Sequence, residues 1–223
     1  MPKLDKRLKT VARLIRSQTH ADIGSDHGHL LAALLAAGRV ERGIAIENKR
    51  QPFLNSTATL AGKNAEVRFG DGLAALSKGE VQSLSICGMG GESIVRILNE
   101  NPDRVPSSLV LQPNHKADQV RRWAWQSGYH LRDEQFAPGH WQYVVLAYSK
   151  ATPPESEAPD PAYVNLDLEA AFLFGPTAIR NPSKSFLERL QEEREYLTQM
   201  KCHTPVTDQR LRAIDRLMVH STV

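Results

Sequence analysis

The chain has 223 residues, 41% hydrophobic and 24% charged, a composition that builds a globular core and excludes disordered and fibrous classes. Its longest apolar run, Leu30 to Ala37, falls far short of the ~20 residues a bilayer crossing requires, and its Lys- and Arg-studded start lacks a secretory apolar stretch, so a cytoplasmic protein is expected. Two cysteines, Cys87 and Cys202, sit outside any CxxC pattern, so neither a disulfide framework nor a metal site is expected.

The net charge is +3, yet residues 1–20 hold Lys3, Lys6, Arg7, Lys9, Arg13 and Arg16 against Asp5 alone. Such clustering suits a phosphate-contacting face and suits a solubilising helix equally well. In the same stretch Leu4, Leu8, Val11, Ala12 and Ile15 recur at helical spacing, which predicts an amphipathic helix docked by its apolar stripe.

Short β-type runs then alternate with helical stretches. The predicted strands are 20–23, 43–47, 67–69, 84–87, 109–111, 130–133 and 143–148, with helices between the first six. The helix after the first strand carries Leu30, Leu31, Leu34 and Leu35 and stops at Gly38; the next runs from near Pro52 to Gly62. This alternation predicts right-handed βαβ units and an α/β, doubly wound, Rossmann-like parallel sheet. The last two strands, separated by a segment with Pro138 and Gly139, read as a hairpin adding an antiparallel edge.

A proline-rich, acidic segment, 151–162, reads as a linker between a ligand-binding domain, 1–150, and a small helical domain, 163–223. Asn181-Pro182 and Thr204-Pro205 each match a helix cap followed by proline. Phe186, Leu190, Leu197 and Met200 on one helix and Leu211, Ile214 and Met218 on the other predict a helical hairpin.

The turn after the first strand carries the strongest chemical signal: Asp22-Ile-Gly24-Ser25-Asp26-His27-Gly28-His29. In a doubly wound fold this turn binds ligands, and the main alternative is a dinucleotide site of the type G-x-G-x-x-G. Asp26 stands where the second glycine of that motif would meet a pyrophosphate. A carboxylate there repels phosphate but attracts the sulfonium and ammonium of S-adenosylmethionine, which favours a methyl donor over NAD. Asp26 also fits the simpler role of helix N-cap.

Glu47 ends the second strand as Ile44-Ala-Ile-Glu47-Asn48, placed to accept both ribose hydroxyls of an adenosine. Gly70-Asp71-Gly72 closes the third strand, where Asp71 can meet an adenine amino group. Ile86-Cys87-Gly88-Met89-Gly90-Gly91 closes the fourth, and its glycines imply close approach by a ligand or by backbone. Leu111-Gln112-Pro113-Asn114-His115 closes the fifth. Cys87 reads as a small core residue, since no basic side chain adjoins it.

DIGSDHGHL, IAIEN, GDG, ICGMGG and LQPN, in this order and spacing, resemble the bacterial tRNA (adenine-22-N1)-methyltransferase family, as does the basic first helix. The resemblance covers roughly residues 1–150; His29 and Leu31 depart from it, standing where the family carries an aromatic residue and a proline. It implies S-adenosylmethionine as cofactor and a tRNA adenine methylated at N1.

Neutral adenine has a free lone pair at N1, so transfer needs positioning rather than deprotonation. Asp26 is then the candidate to stabilise the charge that develops on the base, with His27 orienting it and Asn114 reading the Watson-Crick edge. Asp22, Gly24, Ser25, Gly28, Glu47, Asn48, Asp71, Gly72, Gly88, Met89, Gly90 and Gln112 are the candidate cofactor residues. Lys6, Lys9, Arg13, His29 and His115 are the candidate tRNA contacts. An NAD-dependent oxidoreductase and a non-catalytic RNA-binding protein are the alternatives.

Overall fold

In the computed structural model, residues 4–137 and 143–220 are described. The chain divides into two compact units, 1–157 and 158–223.

The first unit opens with α1 (Lys6–Leu14), capped by the Asp5 carboxylate, which accepts the Leu8 N–H at 2.7 Å. Val11 and Ile15 from this segment are buried against Leu30, Leu31 and Leu34, as the apolar stripe requires; burying a side chain of this size contributes about 1.5–3 kcal/mol. Lys6, Lys9 and Arg13 lie exposed on the opposite face.

Strand β1 (Ser17–Ile23), α2 (His29–Ala36), β2 (Val40–Glu47), α3 (Arg50–Leu60) and β3 (Ala65–Phe69) follow in βαβ succession. Next come β4 (Ser83–Met89), α4 (Gly91–Glu100), β5 (Ser108–Pro113), α5 (Ala117–Gln126), β6 (Tyr129–Ala137) and β7 (Tyr143–Lys150). The sheet order is β3-β2-β1-β4-β5-β7-β6. Strands β1 to β5 pair in parallel, and β7 alone runs in the opposite direction, antiparallel to both β5 and β6. The predicted antiparallel edge pair is therefore present, while the Pro138-Gly139 turn lies outside the described residues.

Strands β1 to β3 are longer than predicted at their N-terminal ends, where polar residues such as Ser17 and Arg42 join the ladder, and β4 to β7 are extended chiefly at their C-terminal ends. One helix is corrected: β3 and β4 are joined by only a short 3-10 turn at Gly72–Ala75, because Gly70, Gly72 and Gly79 interrupt the segment. At the far edge, Arg121 and Glu134 are both buried and bond through Arg121 Nε and Nη2 at 3.0 and 2.8 Å.

The second unit contains two short helices beyond the predicted pair, α6 (Leu168–Phe174) and α7 (Pro176–Arg180), then α8 (Lys184–Thr198) and α9 (Pro205–His220). Asp167 caps α6 by accepting the Ala170 N–H. Helix α9 begins at Pro205 as expected. Helix α8 does not begin at Asn181-Pro182: the Ser183 side chain accepts the Phe186 N–H and is the cap, while Asn181 ends α7. Phe186, Leu190, Leu197 and Ile214 are buried, and Arg194 bonds Asp215 at 2.6 Å between α8 and α9.

Candidate active site

The sheet reverses its winding at β1, whose neighbours are β2 and β4. Ligands of doubly wound folds bind beside the carboxyl ends of the strands at this point. Two adjoining clefts lie there, one of about 330 Å³ and one of about 300 Å³. Gly24 and Met89 line both.

The larger cleft is walled by Asp22, Ser25, Asp26, His27, His29 and, from α1, Arg7. Gly24 has φ +71°, and a Cβ there would collide with the Met89 terminal methyl. The backbone conformation therefore demands glycine, while the flexible end of Met89 could move aside. Asp26 is also left-handed, with φ 57°. Its side chain is 70% exposed and lies 3.6 Å from His27 Nε2. The rings of His27 and His29 stack with centroids 5.3 Å apart, inclined by 19°.

Asp26 is not the helix cap. That position belongs to Gly28, in the left-handed region and without a side-chain cap bond. Gly28 lines neither cleft; a Cβ on it would press on Leu60 and the Ser56 backbone, so its role is close packing of α2 on α3.

The smaller cleft is lined by Glu47, Asn48, Asp71, Gly72 and Gly90, among others. Glu47 is buried, and its Oε1 accepts the backbone N–H of Asp26. Burial pushes the Glu47 carboxyl above its ordinary value, against the pull of that hydrogen bond. Asn48 Nδ2 donates to Asp71 Oδ1 at 3.1 Å, which fixes the exposed Asp71 at the cleft wall.

Behind the larger cleft, Asp22 is buried at the end of β1 and accepts the Ser85 hydroxyl at 2.5 Å. Burial pushes its pKa up to about 6, against the hydroxyls of Ser85 and Ser25 and the charge of Arg7. Burial also raises the Cys87 thiol well above its ordinary range, so Cys87 is not an activated nucleophile.

Gln112 is fully buried and lines neither cleft. Its Oε1 accepts from Arg7 Nη1 at 2.5 Å and from the Gly88 N–H at 3.0 Å, and its Nε2 donates to Asn114 Oδ1 at 3.1 Å. Asn114 Nδ2 in turn donates to the Gly88 carbonyl at 2.8 Å. The pair thus braces the Gly88–Gly91 turn, and Asn114 keeps one lone pair and one hydrogen for other use. His115 lies beyond the clefts, its ring against Gly90 and its carbonyl accepting the Gly91 N–H.

Arg7 is the residue that sequence reasoning passed over. It lies three positions after Leu4 and four before Val11, on the face that docks, and this spacing was the available signal. Its guanidinium also lies 5.9 Å from the Tyr143 ring centroid.

Acidic side chains at the ends of β1 and β2, with glycine turns at β1, β3 and β4, enclose paired clefts at the winding reversal, an arrangement that defines the protein as a methyltransferase. Residues 4–146 match the family described as a methyltransferase domain. The chain is 34% identical over 203 residues to the tRNA (adenine(22)-N(1))-methyltransferase of Bacillus subtilis (strain 168), covering 87% of this chain and 82% of that one. It belongs to the tRNA (adenine(22)-N(1))-methyltransferase family. The crystal structure of B. subtilis TrmK aligns with a TM-score of 0.80 at 31% identity, covering 99% of this chain and 98% of that one. Streptococcus pneumoniae Sp1610, described as a putative tRNA (m1A22) methyltransferase in complex with S-adenosyl-L-methionine, aligns with a TM-score of 0.80 at 26% identity, covering 97% of this chain and 100% of that one. Among the described residues no helix is long and apolar enough to cross a membrane, and no group of three His, Cys, Asp or Glu is placed to hold a metal.

Proposed function

We propose that this protein transfers the methyl group of S-adenosylmethionine to N1 of an adenine in tRNA, at position 22 by its likeness to the B. subtilis relative, and that it acts in the cytoplasm. The observation that carries the reading is the convergence of Asp22, Asp26 and Glu47 on one pair of clefts around Gly24. This donor set fits the cofactor: acidic groups face its cationic and ribose parts, and no phosphate site is needed.

S-adenosylmethionine, when bound, supplies an electrophilic methyl group. The smaller cleft suits the adenosine: Glu47 has one carboxylate oxygen engaged by Asp26 and the other available to ribose hydroxyls, and Asn48 holds Asp71 for the base. In the larger cleft Asp22 faces the ammonium group and Arg7 supplies the charge for the carboxylate.

Asp26, exposed at the rim, is the carboxylate that stabilises positive charge developing on the target adenine. His27 orients it, and the stacked His27–His29 pair offers a surface for the base. Asn114 reads the Watson-Crick edge with its remaining lone pair and hydrogen. Because N1 lies on that edge, the target adenine is unpaired or flipped out when methylated. Lys6, Lys9 and Arg13, exposed on α1, contact tRNA phosphates.

Calorimetry with S-adenosylhomocysteine and with NAD tests the cofactor assignment. Binding of the first and none of the second is expected; preference for NAD would return the oxidoreductase reading.

A further inference from the structure

Strands β1 and β4 pair in parallel with His20 opposite Ser83 and Asp22 opposite Ser85. Residues two apart on a strand share a face, so these four side chains form a square on one side of the sheet. All four are buried, with 0–4% exposure. Polar groups in such a place are costly unless bonded. His20 Nδ1 lies 2.6 Å from Ser83 Oγ and His20 Nε2 lies 2.9 Å from Ser85 Oγ. Ser85 Oγ lies 2.5 Å from Asp22 Oδ1, and Ser17 Oγ lies 2.7 Å from Ser83 Oγ.

Counting hydrogens fixes the direction of the chain. An ionised carboxylate only accepts, so the single hydrogen of Ser85 points to Asp22. Ser85 Oγ must then accept from His20 Nε2–H. His20 Nδ1 is left bare and accepts from Ser83, which accepts from Ser17 at the shorter of that hydroxyl's two contacts, the other being the Thr19 carbonyl at 3.3 Å. Every donor points toward Asp22. The opposite tautomer of His20 would claim the Ser85 hydrogen and leave Asp22 without it.

We propose that His20, with Ser83 and Ser85, is a positioning unit that fixes the Ser85 hydroxyl on Asp22 Oδ1, keeps the carboxylate ionised and leaves Oδ2 for the ammonium group of the methyl donor. This rests on the reading above that Asp22 faces that group. Burial holds His20 down at about 3, so the ring stays neutral across the working range and orients without carrying charge. The other charged or titratable groups around Asp22 are Arg7 from α1, Glu47 from β2, Cys87 from β4 and, on the wall of the same cleft, Asp26, His27 and His29. The Ser25 hydroxyl is a second and weaker donor beside Asp22, and none of the charged groups replaces the hydrogen that Ser85 supplies.

The test uses the full chain, with 13C titration of the Asp22 carboxyl and 15N spectra of the His20 ring in the ligand-free protein, followed by S-adenosylhomocysteine binding against pH. The ring is expected to carry its hydrogen on Nε2. Ser85→Ala is expected to raise the Asp22 midpoint by about one pH unit, and so to weaken S-adenosylhomocysteine binding about fivefold near pH 6 and hardly at all near pH 8. His20→Phe shifts both readouts the same way but less, whereas Ser85→Thr and His20→Gln, which keep a hydroxyl and a donor, restore them. An unmoved Asp22 midpoint in Ser85→Ala, or a ring protonated on Nδ1, overturns the proposal; a filler role would change stability and leave both unmoved. A midpoint that moves while binding does not would leave the hydrogen-bond chain standing and overturn the placement of Asp22 against the ammonium.

Discussion

The carboxylate of Glu47 accepts the backbone N–H of Asp26, so the end of β2 holds the turn that carries the proposed catalytic carboxylate. Binding of the ribose and placement of Asp26 thus depend on one side chain. Glu47→Ala is expected to weaken S-adenosylhomocysteine binding at least tenfold, since hydrogen bonds to a charged acceptor contribute about 1.5–3 kcal/mol each. Calorimetry checks this, and an unchanged dissociation constant would remove Glu47 from the cofactor site.

Asp22 sets stability against binding. Its folded pKa is raised from 3.8 to about 6, so between those values the native state holds more protons than the unfolded state and stability falls as pH rises. Above pH 6 the whole cost is present, up to about 3 kcal/mol. Asp22→Asn removes it. The ligand-free variant is expected to melt at higher temperature than the native protein at pH 7, and at the same pH to lose cofactor affinity. A lower melting temperature with intact affinity would contradict both halves.

Gly24→Ala is expected to destabilise the protein by about 1–2 kcal/mol, the cost of placing a Cβ in the left-handed region. Because φ is +71° regardless of Met89, adding Met89→Ala removes the collision but leaves the strain. Thermal unfolding of the double variant should therefore remain below native. Full recovery would assign the demand for glycine to Met89 alone.

Replacing Lys6, Lys9 and Arg13 by Gln is expected to weaken tRNA binding and flatten its salt dependence, by about one unit of slope for each lost phosphate contact. Cofactor affinity should stay at the native value. Filter binding over a range of salt concentrations reads both, and an unchanged slope would make α1 a solubilising surface.

Much of the fold and site was legible because local signals agree. Glycine and acidic residues at successive strand ends, separated by helical stretches, fix the doubly wound sheet and bring Asp22, Gly24, Glu47, Asp71 and Met89 to its C-terminal edge. Other features depend on neighbours that sequence spacing does not reveal. The His20–Ser83 contact joins residues 63 positions apart and exists only through the β1–β4 register. Gln112 ends a strand whose turn faces the site, yet its side chain is buried and braces Gly88. At α8 the Asn181-Pro182 signal is overridden, because Asn181 already ends α7 and the Ser183 side chain takes the cap by accepting the Phe186 N–H.

Asp26→Asn separates a charge from a shape. Asn tolerates the left-handed conformation at this position, and Gly28 caps the helix whatever stands at residue 26, so the variant is expected to fold and bind S-adenosylhomocysteine normally. Its single-turnover rate should fall about a hundredfold or more, as for loss of a preorganised electrostatic partner. A native rate would end the catalytic assignment of Asp26.

Mass spectrometry of nucleosides from unmodified tRNA incubated with the protein and S-adenosylmethionine reads the methylated atom itself. The expected product is 1-methyladenosine, lost when the tRNA carries another base at position 22. Absence of methylated adenosine, or a methyl group on a different ring atom or a different base, would contradict the proposed reaction.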